Sequence, residues 1–233
     1  MNAKSKPPSE FDLLTQAVDL SGADVLDLGC GDGWFARRIA DRSGAASVTA
    51  MDADAQQIRR NNEADTQGVR FVEGVAEALP LPDATIDVIV MMKSLHHVPV
   101  DRMDAAFGEF ARVLRPSGHI YISEPEYAGS FNDILKLFHD EGPERAAALA
   151  AIKRAQAYGA FSLVKKMKIP SIVKHASLAE FRERWMNLPW LKGRITPAIE
   201  QQVAKTWQTH APVEQPVTFE SNMLSFVLKK ASR

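Results

Sequence analysis

One glycine-rich run constrains the fold of this chain more than any other feature. Residues 25–33 are Val-Leu-Asp-Leu-Gly-Cys-Gly-Asp-Gly, so that an apolar stretch leads into three alternating glycines. Val25–Leu28 suit a buried strand, and glycine lets the backbone approach a ligand closely because it has no Cβ atom. A helical pattern begins at Trp34. The run predicts a strand, a glycine loop and a helix, the opening unit of a nucleotide-binding α/β fold.

The spacing of the glycines limits the class of ligand. A dinucleotide fingerprint, G-x-G-x-x-G, starting at Gly29 needs its third glycine at position 34, where this chain has Trp34. A phosphate loop of the form G-x-x-x-x-G-K-[ST] does not occur in the sequence. What remains is D-x-G-x-G-x-G, in which the carboxylate of Asp27 favours a cationic ligand group over a phosphate.

Strand and helix patterns alternate along the first half of the chain. Apolar runs at Val48–Met51, Val69–Val72, Thr85–Met92 and Ile120–Ser123 predict four further strands, with helical patterns between them. Such alternation is typical of a parallel, doubly wound sheet. We therefore predict an α/β protein with a Rossmann-like sheet.

The pattern changes after Glu124. From about 129 to 210 only helical signals are visible, and Val217–Leu228 is again strand-like. We expect a cofactor-binding core of residues 1–125 plus 213–233. Residues 126–212 are then a helical insertion before the last strand, which we expect to act as a lid that determines substrate specificity. Met1–Glu10 is polar, lacks the apolar core of a signal peptide and is expected to be a flexible tail.

Three segments, in order, resemble the class I S-adenosylmethionine-dependent methyltransferases, and among them methyltransferase type 11 and the ubiquinone-menaquinone methyltransferases. Residues 25–33 resemble motif I of this family. Residues 74–87 resemble its G-D-A-E-x-L-P-F-x-D-x-x-F-D pattern, with Val75 in place of the acid. Residues 94–98, Ser-Leu-His-His-Val, and 109–118, Glu-x-x-Arg-Val-Leu-Arg-Pro-x-Gly, resemble a third pattern. The resemblance covers roughly residues 20–125.

The resemblance implies S-adenosylmethionine as the cofactor and S-adenosylhomocysteine as its product. Asp52 ends the second predicted strand about 20 residues after the glycine loop, where an acid accepts hydrogen bonds from the ribose hydroxyls. The family places adenine beside Val75, so that here the backbone of Val75 and Ala76 is expected to bind it. The residues expected to bind the cofactor are Asp27, Gly29, Cys30, Gly31, Gly33, Asp52, Ala53, Val75, Ala76 and Met92.

Four residues are candidates for proton transfer. His96 and His97 follow the fourth predicted strand, and histidine is a good general base near neutral pH. The resemblance also allows this pair merely to pack beside the cofactor. We expect His97 mainly to pack and His96 to be the better catalytic candidate. Glu124 and Tyr127 follow the fifth strand, at the edge where open α/β sheets bind ligands.

These observations predict an enzyme that transfers a methyl group to a small-molecule acceptor by in-line displacement. Two alternatives stay open: a partner subunit that binds S-adenosylmethionine without catalysis, and an NAD-type oxidoreductase, which Trp34 disfavours. The identity of the acceptor and the oligomeric state are not predicted.

Composition and local patterns exclude several other classes. A net charge of −1 gives no field that attracts nucleic acid. The residues after the fourth strand, Met92-Lys-Ser-Leu, lack the N-P-P-[FYW] pattern of methyltransferases that act on exocyclic amines. The basic run 165–168 is expected to be a solvated helix face. We expect no membrane span, no metal site and, from the single cysteine, a cytoplasmic protein.

Overall fold

The computed structural model describes residues 8–210 and 216–231. Its strands, numbered in chain order, are β1 Asp24–Leu28, β2 Ser47–Asp52, β3 Val69–Glu73, β4 Ile86–Met92, β5 Leu114–Pro125, β6 Phe161–Ile169, β7 Ile172–His175, β8 Val217–Glu220 and β9 Met223–Lys230. Its helices are α1 Glu10–Ala17, α2 Trp34–Arg42, α3 Ala55–Glu63, α4 Met103–Val113, α5 Ser130–Leu135, α6 Gly142–Ala157, α7 Leu178–Trp185 and α8 Pro197–His210.

Seven strands form one sheet in the order β3-β2-β1-β4-β5-β9-β6. The β1–β2, β1–β4, β2–β3 and β4–β5 pairs are parallel. The predicted Rossmann-like α/β fold is confirmed. Because the chain builds outwards from β1 in one direction and from β4 in the other, the strand order reverses between them. A crevice forms at the carboxyl edge of the sheet at such a point, where this class of fold binds ligands.

The core side chains explain why these segments adopt their structures. Strands β1 and β4 are buried on both faces, as expected for the centre of a parallel sheet. Helix α2 buries Phe35, Ala36 and Ile39 against this sheet. Burial of each large apolar side chain stabilises the fold by about 1.5–3 kcal/mol. Asp54 caps α3 by accepting hydrogen bonds from the amides of Gln56 and Gln57, both within 3.0 Å.

The start of the described chain differs from the predicted flexible tail. Residues 1–7 of that tail lie outside the described residues. Ser9 and Glu10 begin α1, because Ser9 and Asp12 form a reciprocal capping box. The Glu10 carboxylate also accepts hydrogen bonds from the hydroxyls of Tyr121 and Ser123, each at 2.9 Å, which fastens the helix to β5.

The segment expected to be wholly helical contains two strands, β6 and β7. The lysines of 165–168 suggested a solvated helix face, but they lie on β6. This strand forms because it hydrogen-bonds beside β9 at the edge of the sheet. Pairing with a distant part of the chain overrides local helical preference here, which sequence patterns do not reveal.

The described residues form two compact units whose boundaries differ from the predicted ones. One unit contains the chain up to Glu124, together with 147–167 and the residues from Ser225 onwards. The other contains 125–146 and 168–224 and has its own aromatic core around Phe131, Phe181 and Phe219. The expected boundary at 212/213 lies outside the described residues. The role of 126–212 as a lid stays a prediction.

None of the helices in the described ranges combines the length and the apolar character needed to cross a bilayer.

Candidate functional site

A cavity of about 620 Å³ lies at the carboxyl ends of the central strands, within the first unit. Its size falls within the range of small-molecule sites. The wall is contributed by the residues that follow β1, β2, β3 and β4. The lining residues are Leu28, Gly29, Gly31, Asp52, Ala53, Gly74, Val75, Ala76, Glu77, Met91, Lys93, Ser94, His97, Val98 and Pro99.

Two glycines of the loop after β1 are needed for different reasons. Gly29 has φ +75, and a Cβ atom added there would lie 2.3 Å from the Cβ of Ser94. Gly29 therefore lets β1 and the segment after β4 pack together. Gly31 has φ +52 and lines the cavity, and a Cβ atom added there meets nothing within 4 Å. Only Gly31 leaves open space that a ligand can occupy.

Asp52 fastens the glycine loop and also faces the cavity. Its carboxylate accepts a hydrogen bond from the amide of Gly31 at 2.8 Å and another from the amide of Asp54 at 2.9 Å. The side chain of Asn61 secures the other side of the loop by donating to the carbonyl of Gly31 at 2.8 Å. Each carboxylate oxygen has two lone pairs, so Asp52 retains capacity to accept the hydroxyls of a ribose.

Asp27 is a deeply buried carboxylate in β1. The residue is 1% exposed, and neither oxygen forms a hydrogen bond of regular geometry within the described residues, although the backbone amide of Ala36 acts to lower its pKa. Burial, and secondarily the charge of Asp52, raises the pKa of Asp27 to about 7. A cationic ligand group near this carboxylate would favour its ionised form.

Cys30 and Gly33 support the loop and are not among the cavity-lining residues. Burial is the main cause that raises the pKa of the Cys30 thiol, which keeps it protonated at neutral pH. Gly33 precedes α2 with φ +76, and an added Cβ atom would lie 2.4 Å from the ring of Phe71. Both residues therefore have a structural explanation.

A second segment, residues 74–77, also lines the cavity, and contacts of the neighbouring Leu79 hold it in place. The amide of Gly74 donates to the carbonyl of Asp52 at 3.0 Å, and Val75 is 39% exposed. Glu109 accepts a hydrogen bond from the amide of Leu79 at 2.8 Å. Arg112 pairs with Glu109 and also donates to the carbonyl of Leu79 at 2.9 Å.

Glu109 and Arg112 thus anchor the wall that contains Val75 and Ala76. The sequence patterns included both residues but gave no physical role for them.

The two histidines of the third pattern differ in burial, although their ring centroids are 4.1 Å apart. His96 is 4% exposed and its Nδ1 pairs with the carboxylate of Glu124, which is also buried. The other oxygen of Glu124 accepts the amide of Leu95 at 2.9 Å. His97 is exposed and lines the cavity. The pairing with Glu124 holds His96 in the interior, whereas we expected His97 mainly to pack; the catalytic role of either histidine stays a prediction.

Tyr127 belongs to the other unit. There its hydroxyl donates to the carboxylate of Asp140 at 2.8 Å, and this hydrogen bond is the main cause that raises the pKa of Tyr127. A catalytic role for Tyr127 stays a prediction.

Most predicted cofactor residues surround the cavity. Gly29, Gly31, Asp52, Ala53, Val75 and Ala76 are on its wall, whereas Asp27, Cys30, Gly33 and Met92 are not. The lining residues that were not among the predicted site residues are Leu28, Gly74, Glu77, Met91, Lys93, Ser94, Val98 and Pro99. Each is close in sequence to a predicted residue at a strand end, which is the signal that identifies them.

Comparisons with known proteins agree with this geometry. Residues 25–118 match a family model described as "Methyltransferase domain". The fatty-acid O-methyltransferase of Mycolicibacterium smegmatis is 37% identical over 116 residues, which are 47% of this chain and 40% of that protein. The chain therefore matches well under half of the length of this relative.

Solved structures resemble nearly the whole chain. The YcgJ protein of Bacillus subtilis has a TM-score of 0.64 at 19% identity, over 95% of this chain and 97% of that one. The [4+2]-cyclase SpnF has a TM-score of 0.60 at 20% identity, over 95% of this chain and 80% of that one. At such low identity these structures establish the fold alone.

Proposed function

This chain belongs to the class I S-adenosylmethionine-dependent methyltransferases, and we propose that it transfers a methyl group to a small-molecule acceptor by in-line displacement. The observation that carries the proposal is the cavity at the strand-order reversal, where Gly31 leaves space for a ligand and Asp52 faces it. S-adenosylmethionine is the cofactor of the family, and when bound it supplies a methyl group already activated on a positively charged sulfur.

The chain's own residues account for binding and orientation. Asp52 would accept the ribose hydroxyls while still holding the Gly31 amide. Val75 and Ala76 would present backbone groups and an apolar surface to adenine, since the chain has no acid at position 75. Asp27 would supply the buried negative charge that favours a cationic ligand. These assignments are part of the proposal.

Positioning would provide most of the acceleration, because the donor is already activated. Correct alignment of two reactants lowers a barrier by about 7–11 kcal/mol in favourable cases. If the acceptor is a hydroxyl or a thiol, it must also lose a proton, and a general base contributes about 10²–10⁴-fold.

His97 is the candidate base because it lines the cavity. His96 and Glu124 would act as positioning residues that hold the turn containing His97.

We propose the chemical class of the acceptor, a small molecule, and not its identity. The M. smegmatis relative is named for fatty acids, which makes long-chain carboxylic acids the first acceptors to test. As a further part of the proposal, we retain the cytoplasmic location expected from the single cysteine.

Calorimetric titration and a turnover assay together test the proposal. We expect the purified chain to bind S-adenosylhomocysteine and not NAD, and to convert S-adenosylmethionine to S-adenosylhomocysteine only when a panel of acids, alcohols and amines includes its acceptor. Binding without turnover across the panel would favour the non-catalytic partner subunit, and binding of NAD alone would contradict the proposal.

A further inference from the structure

Lys93 has a backbone conformation that is unusual for its residue type. It follows β4 directly and has φ +58, in the left-handed region. A side chain with a Cβ atom is strained in this region, and glycine is not. The backbone conformation at this position is therefore less favourable for lysine than it would be for glycine. Strained residues of this kind cluster at functional sites, so the side chain itself calls for an explanation.

The contacts on either side of Lys93 impose this conformation. The amide of Lys93 donates to the carbonyl of Ser123 at 2.7 Å. The hydroxyl of the next residue, Ser94, donates to the carbonyl of Leu28 at 2.7 Å, and Ser94 packs closely against Gly29. These bonds tie the chain to β5 and β1, so the backbone cannot relax to a commoner conformation.

Lys93 is a cationic residue on the cavity wall. It is exposed and is one of the lining residues, as are the acidic residues Asp52 and Glu77. It is the one lysine or arginine among the lining residues that the structure describes. No residue in the described part of the chain forms an ion pair or a hydrogen bond with its ammonium group. The cavity therefore has acids for the cationic parts of a ligand and one amine for an anionic part.

We propose that Lys93 binds a carboxylate of the ligand in this cavity, and that this is why a lysine occupies a position better suited to glycine. Two sources of a carboxylate are compatible with the site: the amino-acid end of the cofactor, and a carboxylic acid acceptor. This inference rests on the proposed function, because it takes the cavity to be the binding site for cofactor and acceptor.

Substitution by glycine separates a binding role from a structural one. Lys93→Gly removes the strain together with the ammonium group, so the variant should unfold at the same temperature as the wild type or higher. Ser117→Gly is a matched control, because Ser117 has φ +65 and is not among the cavity-lining residues. Lys93→Arg keeps the charge and should retain binding.

The two sources are distinguished by three ligands in calorimetric titrations: S-adenosylhomocysteine, 5′-methylthioadenosine, which lacks the amino-acid end, and dodecanoate added to protein saturated with S-adenosylhomocysteine. If Lys93 binds the cofactor, Lys93→Gly should lower the affinity for S-adenosylhomocysteine by about tenfold or more and leave the affinity for 5′-methylthioadenosine unchanged. If Lys93 binds the acceptor, only the affinity for dodecanoate should fall, by a similar factor.

The inference is supported if Lys93→Gly shows either pattern and Ser117→Gly shows neither. The inference is overturned if Lys93→Gly binds both S-adenosylhomocysteine and dodecanoate as the wild type does. It is also overturned if the substitution lowers the affinity for 5′-methylthioadenosine as much as the affinity for S-adenosylhomocysteine. A wild-type protein that binds neither nucleoside would reject the proposed function instead. The inference about Lys93 would then stand or fall on dodecanoate binding to the free protein alone.

Discussion

The buried carboxylate of Asp27 predicts a specific dependence of stability on pH. Its pKa is about 7 in the folded protein, against 3.8 for an unperturbed aspartate. The protonated form is therefore favoured by folding. This contribution to stability is fully present below pH 3.8 and is lost as the pH rises through about 7.

The structure sets the size of this effect. The full difference of about 3 pKa units corresponds to about 4 kcal/mol, and no discount for solvent applies because Asp27 is 1% exposed. The interval from pH 5 to the pKa of Asp27 in the folded protein, about 7, accounts for about 2 of these 3 pKa units. Relative to Asp27→Asn, the wild type should therefore lose about 3 kcal/mol of unfolding free energy between pH 5 and pH 8.

Urea unfolding of both proteins at pH 5 and pH 8 measures this difference. A buried asparagine without partners has its own cost, but that cost is the same at both pH values and cancels in the comparison. Asp41→Asn, at a side chain that is 68% exposed, is the control for the removal of a carboxylate that is not buried. An Asp27→Asn effect that is equal at the two pH values would refute the reasoning.

Four further predictions concern the site and the insertion. Asp52→Ala should weaken the binding of S-adenosylhomocysteine by about 2–4 kcal/mol in calorimetry, because ribose hydrogen bonds are lost and the glycine loop is loosened; an unchanged affinity would show that Asp52 does not bind the ribose. Gly31→Val should lose binding, because its side chain would enter open cavity space and because a valine at φ +52 strains the glycine loop; a variant that circular dichroism shows to be folded and that binds normally would show that the loop is only a turn. His97→Asn should lower turnover of a hydroxyl or thiol acceptor by about 10²-fold or more and remove the acidic limb of the pH–rate profile, whereas His96→Asn should mainly lower thermal stability; the opposite pattern would reassign the base. Amides in 126–212 should gain hydrogen-exchange protection when S-adenosylhomocysteine binds; uniform protection in the free protein, unchanged by ligand, would contradict a lid.

The sequence was most informative where backbone requirements determine residue type. The glycines of 25–33 and the acid at Asp52 indicated the strand, the loop and the ligand edge, because few other residues suit those positions. The order of strands and helices up to residue 125 followed from apolar periodicity. These features depend on short-range geometry, which a sequence records directly.

Features that depend on distant contacts were not predictable. Strand β6 forms only because β9 returns beside it, and nothing within its nine residues records that partner. The burial of His96 depends on Glu124, which is 28 residues away. The strained backbone of Lys93 depends on hydrogen bonds to β5 and β1. In each case the decisive partner belongs to another element of the fold.

A crystal structure of this chain with S-adenosylhomocysteine tests the central claim most directly. We predict the ligand in the cavity at the carboxyl ends of β1, β2 and β4, with both ribose hydroxyls within hydrogen-bond distance of Asp52 and adenine against Val75 and Ala76. Electron density for the ligand elsewhere on the chain, or a ribose that does not contact Asp52, would contradict the account.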